Sequence, residues 1–170
     1  MLNICLFEPE IPQNTGNIAR TCAATGAVLH LVHPLGFDIS EKADRHAGLD
    51  YWSEVTIKEY SSVEEFLEIH RDDELYFLST KGRTIFSDQA YPEDKDVYLI
   101  FGKESRGIEE EILIRYPDRV LRIPMIKDTR SLNLSNCAAI AAYDYYRKMN
   151  YDSFNTVGEL HRHKWEEICE

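Results

Sequence analysis

Short apolar runs recur along this chain, and polar or glycine-containing turns separate them. The runs are Leu2–Phe7, Val28–Val32 and Val97–Phe101, with residues 75–78 and 120–123 of the same kind. Helical spacing fills the intervals. After the first run, Ile18, Ala19, Cys22 and Ala23 share one face, Asn14 and Thr15 offer capping side chains, and Gly26 supplies a stop. Ser62 and Glu65 have capping-box spacing and open a helix to about Ile69. Further helices are expected over residues 41–46, from the turn at 107 to Ile114, and over 135–149, with another strand over 55–57. Strands alternating with helices predict an α/β fold, a largely parallel sheet flanked by helices. The 170 residues suffice for one such domain with a full core. Residues 1–150 are read as that domain. Residues 151–170 are a C-terminal extension, either a docked helix or a looser tail, with Trp165 and Ile168 as anchors.

Net charge restricts the partners. At −11 the chain should repel nucleic acid, whose phosphates demand Lys and Arg. The acidity is uneven, however. Residues 98–132 hold seven basic and six acidic side chains, leaving 12 basic against 24 acidic elsewhere. An anion site within that segment is therefore compatible with an acidic protein. The four cysteines, Cys5, Cys22, Cys137 and Cys169, show no metal-type spacing, and the first three sit among apolar or small residues. Buried thiols in a reducing cytoplasm fit that pattern. The six histidines show no metal spacing either. No apolar run reaches the roughly 18 residues that span a membrane. The strand-like N-terminus does not read as a signal peptide.

Four turns fall at the carboxyl ends of predicted strands, where α/β sheets collect ligands. Residues 14–20, Asn-Thr-Gly-Asn-Ile-Ala-Arg, open a helix whose free N–H groups suit an anion, and Arg20 has the fork to grip a phosphate. Alone, the segment reads equally as a plain cap with a solvated Arg. Residues 101–107, Phe-Gly-Lys-Glu-Ser-Arg-Gly, are a second such turn. There Gly102 admits a ligand to the backbone or adopts an unusual φ, and Glu104 accepts hydrogen bonds from hydroxyl or amino groups. Residues 78–83 end a strand with a cationic turn carrying Lys81. Residues 123–136 pass from a strand through Ser131-Leu132-Asn133-Leu134-Ser135-Asn136 into a small-residue helix with Ala138, Ala139, Ala141 and Ala142. Neither the phosphate-binding P-loop spacing nor the Gly-x-Gly-x-x-Gly dinucleotide fingerprint is present. Tyr143, Tyr145, Tyr146 and Tyr151 read as packing residues of the last helix, or as platforms for bases.

Three of these segments, 14–21, 99–107 and 123–136, occur in the order and form of the SPOUT superfamily, and the chain resembles its SpoU-type RNA 2′-O-methyltransferases. Residues 7–20 and Ala47-Gly48-Leu49-Asp50-Tyr51 resemble the small single-domain enzymes acting on the wobble nucleotide of tRNA. The resemblance covers residues 1 to about 150. It implies a C-terminal deep trefoil knot, which general topology rules make rare. It implies S-adenosyl-L-methionine as methyl donor, enclosed by Leu78, Gly102, Ile123, Ser131 and Leu132, and methylation of the ribose 2′-hydroxyl of nucleotide 34, C or modified U. It implies a homodimer whose site combines two subunits, with tRNA met by Asn14, Asn17, Arg20, Lys81, Arg106 and Arg130, and no metal. Arg20 takes a central part in catalysis, beside Ser131, Asn133 and Glu104. A guanidinium is a poor base, so Arg20 is expected to hold the neighbouring phosphate and stabilise the developing alkoxide. The phosphate, solvent or Glu104 would then take the proton.

Two other readings remain at this point. One keeps the chemistry on ribosomal RNA, although the chain has no room for the added RNA-binding domain of larger relatives. The other is a catalytically silent RNA-binding or assembly protein, which would be expected to have lost Arg20, Asn133 or the glycine turns.

Overall fold

The computed structural model describes residues 1–38, 54–126 and 131–165. Seven strands form one sheet among them: β1 (Leu2–Phe7), β2 (Val28–Val32), β3 (Ile57–Tyr60), β4 (Glu74–Leu78), β5 (Thr84–Ile85), β6 (Val97–Phe101) and β7 (Val120–Arg122). Their order is β3-β2-β1-β6-β4-β7-β5, and every pairing is parallel. Four helices accompany it: α1 (Pro12–Thr25), α2 (Val63–Ile69), α3 (Glu110–Leu113) and α4 (Leu134–Lys148).

The apolar runs become strands because both sheet faces are covered. Alternate residues of β1 and β6 face opposite ways, as strand geometry requires. Leu2, Ile4, Leu6, Val97, Leu99 and Phe101 pack with Ile18, Ala19 and Cys22 of α1 and Ala138, Ala141 and Ala142 of α4. Cys5, Phe7, Tyr98 and Ile100 pack with Val63, Phe66 and Leu67 of α2 and Leu113 of α3. Burial on both faces explains why these strands read as continuous hydrophobic runs rather than alternating ones.

Three expectations shift. The strand expected at 55–57 is Ile57–Tyr60, because its pairing with β2 begins at Ile57 opposite Leu29. The expected turn at 101–107 is there, closed by a Lys103–Gly107 bridge, but the helix after it is the single turn α3, because Glu109 at its cap has the non-helical dihedrals φ −59° and ψ 139°. Asn14 and Thr15 do not cap α1. The helix starts earlier, with Pro12 at its first position and Ile11 at its cap, so both side chains lie inside the first turn. Gly26 ends α1 at φ 71° as expected. Ser62 caps α2 by accepting from the Glu65 N–H, while the Glu65 carboxylate reaches Ser61 rather than back to Ser62. The expected helix at 41–46, the segment 47–51, Cys169 and Ile168 lie outside the described residues.

Residues 151–165 carry no regular helix. The ring of Phe154 lies 4.7 Å from that of Tyr146, which fastens the start of the tail to α4. Trp165 is exposed and donates only to the Gly158 carbonyl. Tyr145 is buried, as a helix-packing role requires, while Tyr143 is half exposed with its ring 6.5 Å from that of Phe154. Cys5 and Cys22 are buried, and burial pushes the Cys22 thiol up to about 12. Cys137 is only half-buried. No helix among the described residues is long and apolar enough to cross a membrane.

A buried polar chain crosses the α2 face of the sheet. His30 Nε2 lies 3.0 Å from Asn3 Oδ1 and its Nδ1 2.9 Å from the Tyr60 hydroxyl. Tyr60 meets His70 in turn, and His70 meets Asp73. Asn3 Oδ1 only accepts, so the His30 proton sits on Nε2 and the Tyr60 hydroxyl donates to Nδ1. Burial, reinforced by Lys58 and His70, drives the His30 pKa down from 6.5 to about 3. The unfolded chain thus takes up a proton near pH 6.5 that the folded chain refuses. Stability contributed by neutral His30 is complete above that pH and declines as pH falls toward 3. Urea unfolding at pH 7.5 and 5.5 should show a loss of about 1 kcal/mol that His30→Gln largely abolishes. An equal pH dependence in the two proteins would refute this assignment.

Candidate active site

Four strand ends converge on one cavity of about 730 Å³. The first wall is the β1–α1 connection. Here the chain leaves β1 through Glu8 at φ 50° and enters α1 at Pro12, which places Ile11 and buried Asn14 on the cavity. The second wall is the turn after β6, residues 102–107. The third is the turn after β4, with Leu78 and residues 79–81, and the fourth is the segment from β7 into α4. β1 lies between β2 and β6, so the connections leaving β1 and β6 depart from a point where strand order reverses. Ligands of open α/β sheets bind at such points.

The second wall is bent by glycines. A Cβ on Gly102 would lie 2.1 Å from the Gly107 carbonyl carbon and 2.4 Å from the Ile108 nitrogen. The expected unusual φ is at Gly107 instead, at +72°. Gly102 therefore lets the chain approach itself, rather than supplying the odd dihedral. Gly82 does the same for the third wall, where a Cβ would lie 2.7 Å from the Leu121 backbone of β7.

A relay of side-chain amides and a carboxylate ties three walls together. Glu104 accepts from the backbone N–H of Glu10 at 2.8 Å, that of Ile11 at 3.2 Å and the Asn14 side-chain amide at 2.8 Å. Asn14 Oδ1 accepts from the Asn133 amide at 2.9 Å. Asn133 Oδ1 in turn accepts from the N–H groups of Ser135 and Asn136 and from the Ser135 hydroxyl. Asn133 is thus the cap of α4, whereas Glu104 fixes the chain just before α1, which has no side-chain cap. A carboxylate held by three donors is a support for the helix entrance and a poor general base. That narrows its expected role. Asn133 keeps one amide hydrogen for other use. Asn133→Ala should cost about 1 kcal/mol of stability through loss of the cap, read by urea unfolding. An unchanged midpoint would show that α4 is held by packing alone.

The other expected residues divide clearly. Leu78, Gly102, Ile123, Ser131 and Leu132 all line the cavity, as do Asn14, Glu104, Asn133, Lys81 and Arg106. Lys81 also pairs with Glu110 at 3.1 Å. Asn17 and Arg20 do not line it and sit at exposed positions of α1. The reason is helical: Arg20 stands about 240° around the axis from Asn14. Arg130 lies outside the described residues. Met125, inside the expected 123–136 segment, also lines the cavity, as do Ile11, Cys137 and Arg122, which were not among the expected site residues; the Arg122 guanidinium donates to the Thr80 carbonyl. Glu10 and Ser105 were not among them either, and nothing in the local pattern of either marks a contact across 95 residues. Among the described residues no three His, Cys, Asp or Glu side chains gather as a metal site.

The arrangement combines apolar side chains (Leu78, Ile123, Leu132) with backbone polar groups of a tight turn, and cationic side chains accompany it. It suits a ligand with a flat apolar part and polar edges. The model of the SpoU rRNA Methylase family matches residues 1–143. The tRNA (cytidine(34)-2′-O)-methyltransferase of Escherichia coli K12 is 45% identical over 152 residues, 89% of this chain and 96% of that one. A structure solved for 2-OH methylation of C/U34 on tRNA has a TM-score of 0.80 at 44% identity, covering 88% of this chain and 91% of its own. An AdoMet-bound rRNA methyltransferase from Sinorhizobium meliloti has a TM-score of 0.73 at 26% identity, over 86% of this chain and 56% of its own.

Proposed function

This chain belongs to the SpoU rRNA methylase family, and from that membership we propose that it methylates the ribose 2′-hydroxyl of nucleotide 34, C or modified U, in tRNA. The observation that carries the proposal is the joint one: 45% identity to a C34 enzyme over nearly the whole chain, with all three motif turns on one cavity. We take residues 1–150 as the catalytic domain and 151–170 as an extension, and place the protein with its tRNA in the cytoplasm.

S-Adenosyl-L-methionine fits the cavity as methyl donor. The volume of about 730 Å³ lies within the roughly 300–1,000 Å³ usual for small-molecule sites. Leu78, Ile123 and Leu132 would pack on the adenosine, and backbone groups near Gly102 and Ile123 would hydrogen-bond its edges. The Sinorhizobium protein binds that cofactor at similar overall geometry. When bound, the cofactor supplies an electrophilic methyl group on a positive sulfur. What the chain adds is position and charge. Ser131 and the remaining amide hydrogen of Asn133 would orient the ribose hydroxyl. Lys81, Arg106 and Arg130 would meet RNA phosphates, each exchanging a counterion on binding. Asn14 belongs to the inner wall, whereas Asn17 and Arg20 act from the outer side of α1.

Arg20 and Asn17 sit off the cavity of their own subunit, which supports a homodimer in which α1 of one copy serves the cavity of the other. There the Arg20 guanidinium would hold the phosphate beside the reacting ribose and stabilise the alkoxide as it forms. With Glu104 committed to α1, we assign the proton to that phosphate or to solvent. The C-terminal trefoil knot belongs with this reading. It is supported by β7 lying between the earlier strands β4 and β5, and by α4 then packing back against α1.

The test is nucleoside mass spectrometry of bulk tRNA before and after incubation with the pure protein and S-adenosyl-L-methionine. A new 2′-O-methylated C or U derivative mapping to position 34 is expected. Methyl groups gained only by ribosomal RNA, or by no RNA, would overturn the assignment.

A further inference from the structure

The turn that forms the second wall, residues 102–107, hangs between β6 and α3. Residues 8–11 run beside it on the other side of the cavity. Two glutamates join the segments in opposite senses. Glu104 reaches out of the turn to the backbone of Glu10 and Ile11. Glu10 reaches back, accepting from the Ser105 N–H at 2.9 Å and from the Ser105 hydroxyl at 2.9 Å. Lys103 adds an ion pair with Glu8. The backbone of Glu10 is itself fixed, because Gly36 packs so closely that a Cβ there would lie 2.7 Å from the Glu10 Cα. The Gly36 N–H also donates to the Pro9 carbonyl. A fixed residue therefore extends a carboxylate to a turn whose own backbone lines the cavity.

We propose that Glu10 is a positioning residue for the methyl-donor site: its carboxylate clasps Ser105 and so holds the 102–107 turn in its ligand-accepting shape. The inference rests on the reading of this cavity as the S-adenosyl-L-methionine site. Glu10 is exposed and does not line the cavity, so it touches neither cofactor nor RNA there. The Ser105 N–H first, and its hydroxyl second, hold the Glu10 carboxyl below its ordinary range, as a clasp made to the ionised form requires. An exposed side chain far from the core has little effect on overall stability, so its loss is felt at the turn and not in the fold.

The experiment is titration calorimetry with S-adenosyl-L-methionine on the full chain and on Glu10→Ala, Glu10→Gln and Glu10→Ala/Ser105→Ala, with methyl-transfer kinetics on each. Glu10→Ala should weaken cofactor binding and raise its KM roughly fivefold, with kcat at saturating cofactor and the melting temperature unchanged. Glu10→Gln should recover most of the affinity, since an amide satisfies both Ser105 groups. The double variant should bind no worse than Glu10→Ala. Wild-type affinity in Glu10→Ala overturns the proposal, as does a lowered kcat with unchanged KM, or a melting temperature that falls with the affinity. Failure of the wild-type chain itself to bind would instead remove the cofactor reading on which the proposal stands.

Discussion

The Arg20→Ala protein is expected to bind S-adenosyl-L-methionine with unchanged affinity and to methylate tRNA at least about 10²-fold more slowly. The separation of the two effects follows from position. Arg20 is exposed on α1 and contributes nothing to the cavity wall. Removing it therefore leaves the donor site intact. In the proposed role, what is lost is a positive fork beside the reacting ribose, where charge develops only as the reaction proceeds. Such groups act on the rate rather than on ground-state binding. Arg20→Lys should recover only part of the activity, because an ammonium carries the charge without the bidentate geometry. Calorimetry with the donor and incorporation of labelled methyl into tRNA measure the two halves. Full turnover by the alanine variant would take Arg20 out of the mechanism. Two variants expected to be impaired for different reasons, Arg20→Ala and Gly102→Ala, offer a further check. Mixed, they should regain activity in hybrid dimers, where one intact cavity meets one intact Arg20. No recovery on mixing would argue for a site contained in one subunit.

Gly102→Ala should do the reverse and weaken donor binding. The added Cβ would stand 2.1 Å from a backbone carbon of Gly107 and 2.4 Å from its oxygen, distances no folded chain tolerates. Backbone cannot swing aside as a side chain does. Gly107 is also already committed to φ +72° and to the bridge with Lys103. Relief has to come from moving the whole turn, which carries a wall of the cavity. We expect a loss of donor affinity of about 10²-fold and a destabilisation of about 1–3 kcal/mol, the usual cost of forcing extra volume into packed structure. Gly16→Ala is the matching control. Nothing lies within 4 Å of a Cβ at Gly16, inside α1, so alanine there should raise stability by about 0.5–1 kcal/mol. Normal donor affinity in Gly102→Ala would mean that the turn does not shape the pocket.

Much of this fold was legible because burial on both sheet faces writes strands as unbroken apolar runs. Leu2–Phe7, Val28–Val32 and Val97–Phe101 stand where the pattern put them. β5 could not be read, since two residues, Thr84 and Ile85, carry no period. The start of α1 was misread for a physical reason. Asn and Thr are good capping residues, but Pro12 already fixes the first helical position, which frees Asn14 for a partner in another wall. Glu104 does accept hydrogen bonds, as its residue type suggested, but from groups the local pattern could not identify. Its carboxylate looked available for a ligand because the three donors that occupy it come from residues about 90 positions away. Local pattern reports what a residue can do with its neighbours along the chain. It is silent about which distant groups have already claimed it. Local pattern pointed to the turns at strand ends, whereas Leu78, Gly102, Ile123, Ser131 and Leu132 were named as lining residues by the family resemblance, and all five line the cavity.

The sheet order also has a consequence in time. Among the described residues β5 lies at the edge of the sheet and pairs only with β7, the last of the strands in chain order. Until the ribosome has released the residues of β7, the segment 84–85 has no neighbour to bond. The third wall then lacks the backbone against which Gly82 packs. The fourth wall is later still. Without the last helix, the face of β1 and β6 that packs on Ala138, Ala141 and Ala142 is also uncovered. A nascent chain cannot present a binding site at any point before its final helix emerges. A chain that stops short of residues 122–137 lacks the fourth wall and therefore the complete cavity.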